Sequence, residues 1–302
     1  MKKRTLNWLM LLVLALIWGS SFVLMKWGMH WEGQHTFAAD EVAALRIVLA
    51  SIFLLPLLIR HYKIDFKKYF LPLLGMGFFG NLVPAFLFTS AETQISSSMA
   101  GMLNALTPLF TMLIAVFALG YKTNAYQISG ILVGFFGAIL LVFFNQVGNT
   151  QSDSLFFCML IVAATLCYAI SVNIIKTYLS ELNSITAATW AFAFIGPFAL
   201  AYLVFNTNFT VTLKESQFAL NSLGAIAILG IVGSAISVIA FNTLIKNAGT
   251  VFASTVTYLI PIVAVLWGIK EGETIVWQQF AGMAVILGAI YLINFKKKGV
   301  QT

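Results

Sequence analysis

Residues 80–108, GNLVPAFLFTSAETQISSSMAGMLNALTP, and residues 233–261, GSAISVIAFNTLIKNAGTVFASTVTYLIP, run for the same length from a glycine to a proline. At their offset of 153, Phe88 falls on Phe241 and Ala100 on Ala253. The register extends beyond the two stretches. Lys26 falls on Lys176 at an offset of 150, and Gln127-Ile128-Ser129-Gly130 falls on Gln279-Phe280-Ala281-Gly282 at 152. Each coincidence is weak alone in a chain so rich in Gly, Ala and Phe. Occurring in order, they divide the chain into two related halves, 1–150 and 151–302.

The composition says what medium those halves face. The chain is 60% hydrophobic and 9% charged, with 27 Phe, against roughly 45–50% apolar and about 25% charged in soluble domains. A soluble globular fold is excluded. The net charge of +7 comes from 17 basic residues strung singly or in small groups between apolar runs, so no basic face for nucleic acid is expected. Cys158 and Cys167 share one apolar segment, where a thiol behaves as a small hydrophobe. His30, His35 and His61 lack metal-ligand spacing. Neither a metal nor a cofactor is expected.

Apolar runs long enough to cross a bilayer lie at 6–29, 38–59, 69–91, 97–119, 125–144, 154–176, 184–205, 220–243, 251–269 and 277–295. The expected fold is an all-α integral membrane protein of ten transmembrane helices. The first run is too long for a signal-peptide core, so it is read as a retained helix. Lys and Arg in short loops set orientation. With the N-terminus in the cytoplasm, 13 of the 17 basic residues fall inside, leaving Lys26, Arg46, Lys214 and Lys270 outside. The acids run the other way, with only Asp65 and Glu181 inside. Both termini are therefore expected in the cytoplasm. Five spans per half is an odd number, so the halves cross the membrane with opposite polarity, as in secondary transporters that bind solute at the midplane between inverted repeats.

Trp18-Gly19-Ser20-Ser21-Phe22 followed by Lys26, then Arg46, the proline-centred Leu106-Thr107-Pro108 and Leu259-Ile260-Pro261, and the Gly272-Glu273 turn resemble the ordered motifs of the EamA-like family in the drug/metabolite transporter superfamily. After the first proline span the matching turn is Gly120-Tyr121, without the acid. The resemblance covers residues 6–295. It implies ten helices, an inner-membrane location, and export of amino acids or other small metabolites. Multidrug or nucleotide-sugar-like exchange on the same fold is the alternative, although sugar nucleotides ask for more cavity cations than Lys26 and Arg46. An intramembrane enzyme would need a nucleophile beside a base. The three histidines near span ends do not offer one, so no enzymatic activity is expected. The expected partners are a small-molecule substrate and the lipid bilayer.

Several side chains are candidates for the substrate site. Trp18 lies deeper than the headgroup belts where Trp anchors, and Tyr168 holds the equivalent place in the second half. Proline removes the donor to the carbonyl four residues earlier, so Pro108 and Pro261 are read as helix breaks that free the carbonyls of Asn104 and Thr257. Ser20, Asn81, Asn242 and Tyr258 complete the set. Lys26 and Arg46, costly in hydrocarbon unless paired, are expected to form a structural ion cluster with Asp40 and Glu41; binding of a substrate carboxylate by Arg46 is the sharper alternative. Gly130 and Gly134, and Gly75, Gly77 and Gly80, read as close-packing positions, and Ser96 as a helix cap. No Asp or Glu stands in the middle of any span. Either the solute runs down its own gradient, then, or a span-end acid such as Glu92 carries the proton.

Overall fold

The computed structural model describes residues 2–61, 63–121, 123–148, 154–248, 252–253 and 255–294. Outside these lie the boundary between the expected halves, Lys122, Asp153, and the C-terminal Lys296, Lys297 and Lys298.

Long apolar stretches with no water to satisfy their backbone form helices. Those of the first half are α1 (Lys2–Met29), α2 (Ala39–Arg60), α3 (Phe66–Gly77), α4 (Val83–Ala91), α5 (Ser97–Asn104), α6 (Thr107–Phe117) and α7 (Ala125–Gly148). Those of the second are α8 (Ser154–Tyr178), α9 (Ser184–Asn206), α10 (Phe209–Glu215), α11 (Ala219–Gly230), α12 (Ser237–Ala248), α13 (Val256–Lys270) and α14 (Trp277–Asn294). Among the described residues, the one pair of strands is a short antiparallel ribbon, β1 (His30–Trp31) with β2 (Gln34–His35), turning on Glu32 and Gly33 at positive φ. It marks what is called here the ribbon end of the bundle.

Among the described residues, eight helices are long and apolar enough to cross a membrane, with α3–α4, α5–α6 and α11–α12 each counted as one. Two further apolar helices, Val256–Lys270 and Trp277–Leu292, are shorter. They fall on the ninth and tenth expected spans.

The joints between α3 and α4 and between α11 and α12 are π-helical turns, Phe78–Leu82 and Ile231–Ile236, whose first residues are 153 apart. Different chemistry widens the two turns. Pro84 has no N–H to offer the Gly80 carbonyl, whereas at the matching position the Ser237 hydroxyl donates to the Val232 carbonyl at 2.6 Å.

Packing follows the same register. Helix α1 lies against α11, α12 and α13, and α8 lies against α3, α4 and α6; α2 packs on α9, and α7 on α14. Small residues let backbones close in: a Cβ at Gly77 would stand 2.7 Å from the Ala191 carbonyl oxygen, and one at Gly230 2.7 Å from that of Arg46.

Candidate functional site

A cavity of about 160 Å3 opens between the halves. Helix α1 turns Trp18, Ser21, Phe22 and Met25 toward it, and α8 turns Tyr168, Ser171, Val172 and Ile175. Both sets have the i, i+3, i+4, i+7 spacing of one helix face, and each member is 150 residues from its counterpart. At the 153 offset, Gly80 and Gly233, Phe88 and Phe241, and Asn104 and Thr257 also line the cavity in pairs. The glycines admit a neighbouring serine: a Cβ at Gly80 would collide with the Ser171 hydroxyl, and one at Gly233 would stand 3.3 Å from that of Ser21. Aromatic contacts repeat the pairing, with Trp18 and Phe241 at 5.0 Å and Tyr168 stacked on Phe88 at 5.8 Å. The π turn leaves the Gly233 carbonyl to accept the Trp18 indole N–H at 3.1 Å.

Polarity in the cavity is sparse. Arg46 is the one charged residue lining it among the described residues. Its Nε donates to the Ser234 hydroxyl at 2.7 Å, and the Tyr168 hydroxyl sits against its guanidinium. Asn104 Oδ1 and both Oδ1 and Nδ2 of Asn242 are buried without a hydrogen-bond partner. Unsatisfied amide groups of this kind are costly in an apolar interior.

Six expected site residues therefore meet in one cavity: Trp18, Asn81, Asn104, Tyr168, Asn242 and Thr257. Ser20 and Tyr258 do not line it; the Ser20 hydroxyl instead accepts the Trp267 indole N–H at 2.7 Å, away from the cavity face of α1. Ser21, Phe22, Phe88 and Ser171 also line the cavity, outside the expected site set. The paired i, i+3, i+4, i+7 faces were the available signal.

The helix break expected at Pro108 is present between α5 and α6, whereas the one expected at Pro261 and the free Asn104 carbonyl are overturned. Pro108 stands in the first turn of α6, where its missing N–H costs nothing, and the Asn104 carbonyl accepts the Thr107 hydroxyl at 2.9 Å. It is the Asn104 side chain, not its carbonyl, that lacks a partner. Pro261 lies inside α13, which runs unbroken through it.

The expected ion cluster of Lys26, Asp40, Glu41 and Arg46 is also overturned. Lys26 pairs with Glu273 at 3.0 Å. Asp40 accepts the Tyr202 hydroxyl at 3.0 Å, and Glu41 turns back to accept its own helix's Ala38 N–H at 3.0 Å. Short acidic side chains at a helix start are drawn first to its exposed N–H groups, and Arg46, two turns further in, is beyond them.

Glu273 organises the ribbon end. Its carboxylate accepts the N–H groups of Ser97 and Ser98 at 2.7 and 3.0 Å and the Ser98 hydroxyl at 2.6 Å, capping α5 from another part of the chain. Burial raises its pKa, but Lys26 and the Ser98 bonds outweigh burial and hold it below the ordinary value. Gly268 makes room for this arrangement, because a Cβ there would overlap the Ser98 hydroxyl and the Glu273 carboxylate. At the other end of the bundle, the counterparts of Lys26 and Glu273 are Lys176 and the Gly120-Tyr121 turn, and Lys176 Nζ stands 4.3 Å from the centre of the Tyr121 ring.

The sequence profile of the EamA-like transporter family matches residues 6–143 and 155–295. The chain is 28% identical to an uncharacterized inner membrane transporter of Escherichia coli K12, YedA, over 95% of this chain and 90% of that one. It is 23% identical to an uncharacterized transporter of Archaeoglobus fulgidus, covering 96% and 99% of the two chains. A protein of Escherichia coli K12 described as a probable amino-acid metabolite efflux pump is 22% identical over 94% of this chain and 93% of its own length. One crystal structure aligns with a TM-score of 0.63 at 15% identity, covering 96% and 97% of the two chains. That likeness concerns the fold alone.

Proposed function

The chain belongs to the EamA-like transporter family, and we propose that it moves a small carboxylate-bearing metabolite, of the amino-acid kind, outward across the cytoplasmic membrane through the cavity between its halves. It is a multi-pass membrane protein whose family and relatives are named as transporters. The observation that carries the finer reading is the polar set of the cavity: Arg46 at one wall, with Asn104 and Asn242 presenting buried amide atoms that no protein group satisfies. A guanidinium is suited to a carboxylate. Amide oxygens accept from an ammonium or amine, and the rings of Trp18, Phe88 and Tyr168 enclose an apolar side chain. A sugar nucleotide would need several cations, and Lys26 is engaged by Glu273 outside the cavity.

The transport reading includes ten spans in two inverted five-span repeats. It is supported by the 150 and 153 offsets, which pair the cavity faces of α1 and α8, the two π turns, and the contacts of α1 and α8 with their surroundings. The Lys and Arg bias supports a ribbon end that faces outside. The test is counterflow of a panel of labelled amino acids into proteoliposomes, with and without an imposed pH gradient. Exchange of at least one member that is lost in Arg46→Ala is the expected result. No exchange with any carboxylate-bearing solute would overturn the reading.

A further inference from the structure

Glu92 ends α4 at the ribbon end and is 3% exposed. Its Oε1 has no hydrogen-bond partner, and its Oε2 accepts only a long bond from the Ser97 hydroxyl, at 3.3 Å. A buried carboxylate so poorly served is unstable as an anion. The charged groups that face it are Lys26 from α1, Arg46 from α2 and Glu273 from the loop after α13. Helix α8, packed along α4, brings no Asp, Glu, Arg or His and only Lys176 at its far end. Both cations are committed elsewhere, Lys26 to Glu273 and Arg46 to Ser234.

We propose that Glu92 is a proton-binding site whose protonated form keeps the ribbon end shut. The inference rests on the transport reading for the identity of the outer side. When the Glu92 carboxyl gives its proton to water, the new carboxylate competes with Glu273 for the single ammonium of Lys26. Glu273 then loses the partner that holds it over the α5 N-terminus, and the seal between α1, α5 and α13 loosens. Reprotonation returns Lys26 to Glu273 and closes it. Burial pushes the Glu92 carboxyl well above its ordinary value, bringing the switch toward neutral pH. A proton taken up from outside would thereby reset the carrier after the solute has left, coupling the solute to the proton gradient.

The test reads opening without knowing the solute. In a background carrying Cys158→Ser and Cys167→Ser, a cysteine is placed in the cavity wall as Met25→Cys, and its labelling by a membrane-impermeant maleimide from outside is followed in intact cells from pH 6 to 8.5. Thr210→Cys, on the exposed face of α10, corrects for the chemistry of the thiol. The corrected labelling is expected to rise severalfold with pH, to stay flat and low in Glu92→Gln, and to rise again in Glu92→Asp. A rise in Glu92→Gln matching the parent, or no rise in the parent, overturns the proposal. If amino-acid counterflow persists while labelling is flat, the proton site falls and the transport reading stands. A labelling switch without counterflow fails the transport reading and leaves the proton site in place.

Discussion

Arg46 sits two turns inside α2 with Nε held by Ser234 and the rest of its guanidinium turned to the cavity. Lysine keeps the charge there but not the planar fork, so Arg46→Lys is expected to weaken solute binding by about tenfold or more, on the order of the 1.5–3 kcal/mol of a charge-assisted hydrogen bond. Equilibrium binding or the half-saturation of counterflow measures it. Asn104→Ala removes a partnerless buried amide oxygen, and Asn242→Ala an amide with neither atom partnered. If those amides serve the solute, each change raises the half-saturation concentration by about fivefold, as for the loss of a neutral hydrogen bond, while the protein itself becomes no less stable. Thr257→Val is expected to act in the same direction. Ser129→Ala, on an exposed face of α7, should change nothing. Equal half-saturation in Asn104→Ala, Asn242→Ala and the parent would remove both amides from the site.

The junction of α1, α5 and α13 depends on a missing side chain. Gly268→Ala would drive a methyl into Ser98 and Glu273, and overpacking of this kind costs about 1–3 kcal/mol. Gly224 in α11 has nothing within 4 Å of its would-be Cβ, so Gly224→Ala should be neutral or stabilise by about 0.5 kcal/mol. Thermal unfolding of the purified protein separates the two. The acids of the same junction have opposite pH signatures. Glu273 is held below its ordinary value despite burial, so its contribution is fully present above about pH 4.3, the unfolded value, and is lost as pH falls through the lower folded one. Glu92 is raised by burial, so stability declines as pH rises from about 4.3 toward its folded value. Glu273→Gln should remove the acid-side loss and Glu92→Gln the decline on the other side, in melting temperatures recorded across pH.

At the scale of the whole molecule, the uneven distribution of Lys and Arg predicts orientation. Reporters fused after Lys298 and inserted near Lys67 should read cytoplasm, and one between Thr207 and Thr210 should read the outside. An external signal from the C-terminal fusion would defeat both the even span count and the inverted repeat.

Membrane character and the family were legible in the sequence, because lipid requires long apolar runs and every helix must contain them. So was much of the cavity, since Trp18, Asn104, Tyr168 and Thr257 were found from a register that also governs how the helices pack. The partners of the charges were not legible. Lys26 and Glu273 are 247 residues apart, and nearness in sequence favoured Asp40 and Glu41, which a helix start and Tyr202 claim instead. The π turns and the solvation of Glu92 were hidden for the same reason. Hydrophobic periodicity is a local property that each helix carries alone, whereas the burial of a carboxyl and the choice between competing partners exist only once α1, α4, α5 and α13 are brought together.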